Sequence, residues 1–324
     1  VFSKAAMKIG QFFHFLNGKK AYGSLVSGII CVIIGLLAGL IVLLCLDPGA
    51  GFEGLAKLIT TGFQDGTTFG RVLYQAAPMM LSGLAIAFSF KLGLFNIGIT
   101  GQVTLGAFCS VLVGICGANW FVCLLVGMMA GALAGFIPGF LKAKFNVNEV
   151  LSGIMLNWII YYVIGLIGSY LPRSFKNTQT PAELINIPAA ARLPSLGIEQ
   201  LPGVNVGLII SIAILIIFQV ILVKTKFGFE LKLSGSNKFA AQYAGMNQTK
   251  NIILALTISG ALAGICGYMI YANPLSSLRF YWSAGQKTLI ADGFTGISVS
   301  LIAQNSPIGC ILSSILLTLI DAAQ

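Results

Sequence analysis

LGLFNIGITGQVTLGAFCSVLVGICGANWFVCLLVGMMAGALAGFIPGFL, residues 92–141, runs for fifty residues without an Asp, Glu, Lys, Arg or His. A bilayer core takes about 20 residues of helix, so the stretch is too long for one span and too apolar for water. It holds two spans. The first opens on FNIGITGQ (95–102), where Asn96, Gly98, Thr100, Gly101 and Gln102 interrupt the apolar pattern. Non-helical backbone survives at membrane depth only where protein buries it or where it lines a cavity. The stretch therefore points to a membrane protein that builds a polar path between helices.

The rest of the chain agrees. Of 324 residues, 57% are hydrophobic and 9% are charged, against about 25% charged in a soluble domain. The net charge of +10 is spread between apolar runs rather than gathered on one soluble face, which argues against nucleic acid as a partner. Cysteines at 31, 45, 109, 116, 123, 266 and 310 lie inside apolar runs with no C-x-x-C spacing and read as core fillers. His14 is the only histidine, which argues against a His-based metal site or a catalytic triad. The sequence contains no G-x-x-x-x-G-K-[ST] phosphate loop, so any ATP used is hydrolysed by another chain. With no paired intramembrane carboxylates and no arginine-rich span, proton-pump and voltage-sensor readings lose support.

Hydropathy windows place spans near 22–46, 72–90, 92–117, 119–141, 150–171, 204–223 and 251–272, with a short one at 288–303 and another at 306–322. This predicts an all-α bundle of about nine or ten membrane segments, including broken and short helices. Residues 1–20 form an N-terminal segment, either an interfacial helix or a disordered basic leader, and 21–324 form one transmembrane domain. The connections fix orientation. One side collects twelve basic and two acidic residues, the other seven basic and five acidic, so the first is assigned to the cytoplasm together with the N-terminus. Residues 172–203, with five prolines, are the long extracytoplasmic loop.

The cytoplasmic loop 224–250 contains FGFELKLSGSNKFAAQYAGMN (227–247). Turn formers at Ser234, Gly235, Ser236 and Asn237 precede a short helix-compatible run, Lys238–Tyr243, followed by Gly245. Phe239, Ala240 and Tyr243 share one face, and Ala240 and Ala241 permit close approach. That face either docks into a groove on a partner or rests as a linker on the membrane surface.

With these residues in place the chain resembles the permease subunits of ATP-binding-cassette importers for nucleosides and simple sugars, most closely the nucleoside branch. The resemblance rests on FNIGITGQ (95–102), NEVLSGIMLN (148–157), the segment 227–247, ISGALAGICG (258–267) and GFTGISVSLIAQNSPIG (293–309), in that order. It implies a multi-pass permease of a bacterial-type cell membrane that pairs with a second permease. Cytoplasmic ATPases using ATP and Mg would bind the loop after the sixth span through Gly235, Phe239, Ala240, Ala241, Tyr243 and Gly245. An extracytoplasmic binding protein would deliver substrate. No cofactor is expected on this chain itself. Thr100 stands where the family pattern has an acidic residue. Relatives carry another helix beyond the position of Gln324, so the span count is a minimum.

The residues expected to line or closely support the path are Asn96, Gln102, Asn157 and Asp292, with Gly98 and Gly101 forming the helix break. Polar groups at these depths bond other helices or face water, because leaving them unpaired costs about 1–3 kcal/mol each. Asp292 serves either the path or the start of the following helix. Trp158 and Tyr161 either stack on a nucleobase or pack. Gly127, Gly131 and Gly135 set a small residue at every fourth position and predict close helix packing. Two other classes fit the same residues: an ion-coupled secondary transporter, and a membrane assembly subunit that transports nothing. Within the importer reading, a ribose- or galactose-type sugar is the alternative to a nucleoside.

Overall fold

The computed structural model describes residues 20–46, 49, 51–273, 279–282 and 289–322. These form α1 (Lys20–Leu46), α2 (Gly51–Thr60), α3 (Gly66–Phe90), α4 (Ile99–Ile115), α5 (Trp120–Phe145), α6 (Glu149–Tyr170), α7 (Val206–Lys224), α8 (Lys226–Ser236), α9 (Lys238–Tyr243), α10 (Gln248–Tyr271), α11 (Asp292–Ile302) and α12 (Pro307–Asp321). Extended pairing among the described residues is limited to three isolated bridges. Several helix starts are fixed by asparagine. Asn119, Asn148, Asn205 and Asn247 each accept a hydrogen bond from an amide in the first turn of α5, α6, α7 and α10, which satisfies a donor that the helix cannot satisfy itself.

Burial and apolarity run in opposite directions. α7, the most apolar of the long helices, has 22% of its span buried, while α3, the least apolar, has 83% buried. In water the order would be reversed, so the medium around the bundle is hydrocarbon. α3, α5, α6, α7 and α10 are each long and apolar enough to cross it, and α11 with α12 adds a sixth if the pair counts as one span.

Every expected window carries a helix, but nine or ten independent crossings do not follow. The window 92–117 yields α4 of only 17 residues, about 25 Å against a core of about 30 Å, because Leu92–Gly98 stays irregular. The windows 288–303 and 306–322 yield α11 and α12, bent through 120°. Gln304 and Asn305 hold the turn at positive φ. α2 was not anticipated: its Glu53–Lys57 pair and exposed Phe52 make it a short amphipathic helix. The N-terminal segment expected at 1–20 lies outside the described residues except for Lys20.

The interior is a glycine seam. α10 lies along α5 in the most extensive helix pairing of the molecule, and α4 packs against both. A methyl group added at Gly131 would lie on the carbonyl oxygen of Gly260, and one added at Gly264 on that of Gly127. The backbones therefore meet directly, as expected where no hydrophobic effect drives helices together.

The helix ends sort into two sides, matching the division of the connecting segments. On one side the loop between α6 and α7 covers the α3 start, with the Gln200 carbonyl against Gly66. Its prolines keep it extended, yet it is ordered. Tyr268 Oη donates to the Ala191 carbonyl (2.9 Å), Leu193 N to Ala272 O (2.8 Å), and Leu184 N to Phe280 O (2.9 Å). Glu183 pairs with Arg279 and accepts from Asn177. With the Tyr281 hydroxyl, these contacts hold its carboxyl below the usual range. On the other side lie Lys91, α8 and α9.

Candidate functional site

The break before α4 is closed by hydrogen bonds. Asn96 Nδ2 donates to Gln102 Oε1 (2.8 Å) and Ser259 Oγ (2.9 Å), and Gln102 Nε2 donates back to Asn96 Oδ1 (3.1 Å). Ser259 Oγ donates to the Ala85 carbonyl (2.6 Å), so three helices share the cluster. Gly98 occupies the N-cap of α4 and has no side chain to cap with. Asn157 of α6 supplies what it lacks: its Oδ1 accepts from Gly101 N (2.9 Å), the third helical amide, while its Nδ2 donates to Ile97 O (3.1 Å). One amide thus serves as an N-cap from another helix and pins the irregular segment before it. Gly101 leaves room for this, since a Cβ there would come within 2.6 Å of Asn157 Oδ1.

Five of the six expected path residues therefore come together, but Asn96, Gln102 and Asn157 are buried and occupied by one another and by backbone. Asp292 stands apart, at the first turn of α11. Ser82 Oγ donates to the carbonyl of Gly293 (3.2 Å), and Gly293 packs on Thr100. No side-chain cap forms at the start of α11. Among the described residues the Asp292 carboxylate has no hydrogen-bond or ion-pair partner. Ser82 and Ser259 were missed by sequence reasoning, since a lone serine in an apolar run carries no signal. A cavity lined by Lys144, Asn247, Thr249, Lys250, Ile253 and Leu254 opens at the α9 end of the bundle, away from the break.

The segment 224–250 is more helical than expected. Ser234, Gly235 and Ser236 complete α8 instead of turning. Gly235 packs on the carbonyl of Lys91, a contact within the chain. Asn237 makes the corner: its Oδ1 accepts from Ala240 N (3.0 Å) and caps α9. Ala241 is fully buried, so its small size serves the chain's own packing, not a partner's approach. Gly245, at φ +75°, turns the chain into α10. What remains outward is Phe239, 72% exposed, Tyr243, 94% exposed, and Ala240 between them.

The outward faces of the long helices differ. That of α5 (Met129, Leu133, Phe136, Ile137) carries no hydrogen-bonding side-chain group, and that of α7 (Ile209, Ile216, Ile217, Val220) is interrupted only by the half-buried Gln219. That of α6 carries Trp158 and Tyr162, both exposed. Their rings lie 6.4 Å apart with Tyr161 beside them.

Residues 68–323 match the family described as branched-chain amino acid transport system / permease component. The chain belongs to this family. It is 35% identical over 304 residues to the guanosine ABC transporter permease protein NupP of Bacillus subtilis, covering 92% of this chain and 85% of that one. It is 31% identical to the nucleoside ABC transporter permease protein NupB of Lactococcus lactis, over 90% of this chain and 82% of that one. A glucose ABC transporter permease protein of Haloferax volcanii is 32% identical, over 91% and 78%. In Bacillus subtilis and Lactococcus lactis a second permease, NupQ or NupC, also matches. No solved structure matches significantly. This permease is a multi-pass plasma-membrane transport subunit and not an enzyme.

Proposed function

We propose that this permease is one of two membrane subunits of an ABC importer for nucleosides. The observation that carries the substrate class is the 35% identity to a guanosine permease across nearly the whole of both chains. The second permease is supported by the paired relatives. Separate ATPases would consume ATP and Mg, and an extracytoplasmic protein would present the nucleoside. The α9 side is the cytoplasmic one, because it holds the larger excess of basic residues. On this reading α1, α3, α5, α6, α7 and α10 cross the membrane, α4 completes a seventh crossing together with the irregular segment Leu92–Gly98 before it, and α11 and α12 form a re-entrant pair.

Phe239, Ala240 and Tyr243 form the contact with the ATPase. Gly235, Ala241 and Gly245 hold α9 in place for it. Asn96, Gln102 and Asn157, with Gly98 and Gly101, support the wall of the path, and the partnerless carboxylate of Asp292 faces the path itself. The test is uptake by proteoliposomes holding both permeases, the ATPases and the binding protein. ATP-dependent accumulation of guanosine or uridine in preference to glucose is the expected result; accumulation of glucose alone would overturn the substrate class. Asp292→Asn should lower uptake while leaving assembly intact, whereas unchanged kinetics would remove Asp292 from the path.

A further inference from the structure

α6 presents two contrasting faces. Gly153, Leu156, Asn157, Ile160, Ile164 and Gly168 are buried, toward α4 and α5. The opposite stripe holds Met155, Trp158, Ile159, Tyr162 and Leu166, all more than half exposed, with Trp158 at 51% and Tyr162 at 63%. At 1.5 Å per residue, Trp158 lies about 14 Å and Tyr162 about 20 Å along a helix of about 33 Å, in the middle of the hydrocarbon.

That is the wrong depth for lipid-facing Trp and Tyr. Both residues favour the membrane–water interface, where the ring is covered and the N–H or O–H finds water. Among the described residues, Trp158 Nε1 and Tyr162 Oη have no hydrogen-bond partner, and acyl chains offer none. The lipid-compatible alternative is visible on the same molecule, in the outward face of α5, where Met129, Leu133, Phe136 and Ile137 carry no hydrogen-bonding side-chain group. The α6 stripe therefore faces something polar or aromatic at mid-depth.

We propose that the α6 stripe bearing Trp158 and Tyr162 is the permease's own contact with the nucleobase in transit, facing the seam with the second permease. The proposal rests on the nucleoside reading above. A base has a π-face whatever its hydrogen-bonding edge, so an aromatic platform binds purines and pyrimidines alike while leaving selection to the delivering protein. The indole supplies the stacking surface. The Tyr162 hydroxyl donates to or accepts from the base edge or ribose as the molecule passes.

The test uses the complete complex in proteoliposomes with saturating binding protein. Guanosine and uridine uptake are compared in wild type, Trp158→Ala, Trp158→Phe, Tyr162→Phe and, as a control on the outward face of α5, Leu133→Ala. Loss of one stacking ring predicts about a tenfold fall in guanosine uptake for Trp158→Ala, a smaller fall for uridine, partial recovery for Trp158→Phe, which keeps a ring, and near-normal uptake for Leu133→Ala. 8-Azidoguanosine photolysed during turnover should label the peptide spanning 155–166. Wild-type uptake by Trp158→Ala, or label confined to other helices, overturns the proposal and leaves the nucleoside reading standing. If Trp158→Ala instead separates the two permeases, the stripe is a subunit contact and the proposal falls. If wild type imports no nucleoside, the reading beneath it falls as well.

Discussion

Every fourth residue of one α5 face is a glycine, at 127, 131 and 135, and every fourth residue of one α9 face is aromatic, at 239 and 243. The glycines are covered by α10 so closely that backbone meets backbone. The aromatics stand 72% and 94% exposed. Equal spacing identifies a helix face in both cases, but residue size decides what the face is for. A stripe of glycine recruits a neighbour from its own chain; the uncovered aromatic stripe is, on the proposed reading, the contact for the ATPase.

The largest effect should come from the glycine seam. Gly131→Leu drives a side chain into the Gly260 carbonyl with no flexible neighbour to yield, a clash costing about 3 kcal/mol or more by analogy with overpacked cores. Recovery of detergent-stable permease should fall to near nothing; a normal melting profile would break the contrast with α9. Next is the polar break. Asn157→Leu strands the Gly101 amide and the Ile97 carbonyl, at about 1–3 kcal/mol for each buried group. A lowered melting temperature in assembled complex is expected, and wild-type stability would mean that water replaces the amide.

A smaller effect belongs to the loop between α6 and α7. The Glu183 carboxyl, bonded by Tyr281, Asn177 and Arg279, is held below its ordinary range. Its contribution is therefore fully present above the unfolded pKa, about 4.3, and is lost as the pH falls through the lower folded value. The stability gap between wild type and Glu183→Gln should be widest near neutrality and close on acidification; a gap independent of pH would show that packing, not charge, holds the loop. The smallest stability effect should be on α9. Phe239→Ala with Tyr243→Ala should shift stability by no more than about 0.5 kcal/mol, as for exposed positions generally, while ATP hydrolysis and uptake become uncoupled. Retained coupling would remove these rings from the ATPase contact.

Much of this was legible in the sequence, for identifiable reasons. Charge-free length placed the helices, because a bilayer imposes one length scale on all of them. The break at 95–102 was visible because Asn, Gly and Gln have no place in lipid. What the sequence withheld was pairing across distance. Nothing in Asn157 says that it caps a helix beginning at Ile99, because the partner lies 56 residues away. Ala241 and Ala240 look alike on paper, and only the packing of α9 on α8 and α10 buries one and exposes the other. The fate of 288–322 was missed because hydropathy counts apolar residues and does not register a 120° bend.

Asn157 and Trp158 are consecutive residues, and this couples two parts of the molecule mechanically. A hydrogen bond tolerates a few tenths of an ångström before it fails, and Asn157 makes two of them, one to Ile97 before α4 and one to Gly101 in its first turn. α6 therefore has little freedom to roll about its own axis: a turn large enough to swing the indole aside would shear both bonds. On the proposed reading the stripe and the break move as one piece, and opening between two permeases is expected to displace α4 and α6 together. Distances between labels on these two helices should stay constant through the transport cycle while distances across the seam change.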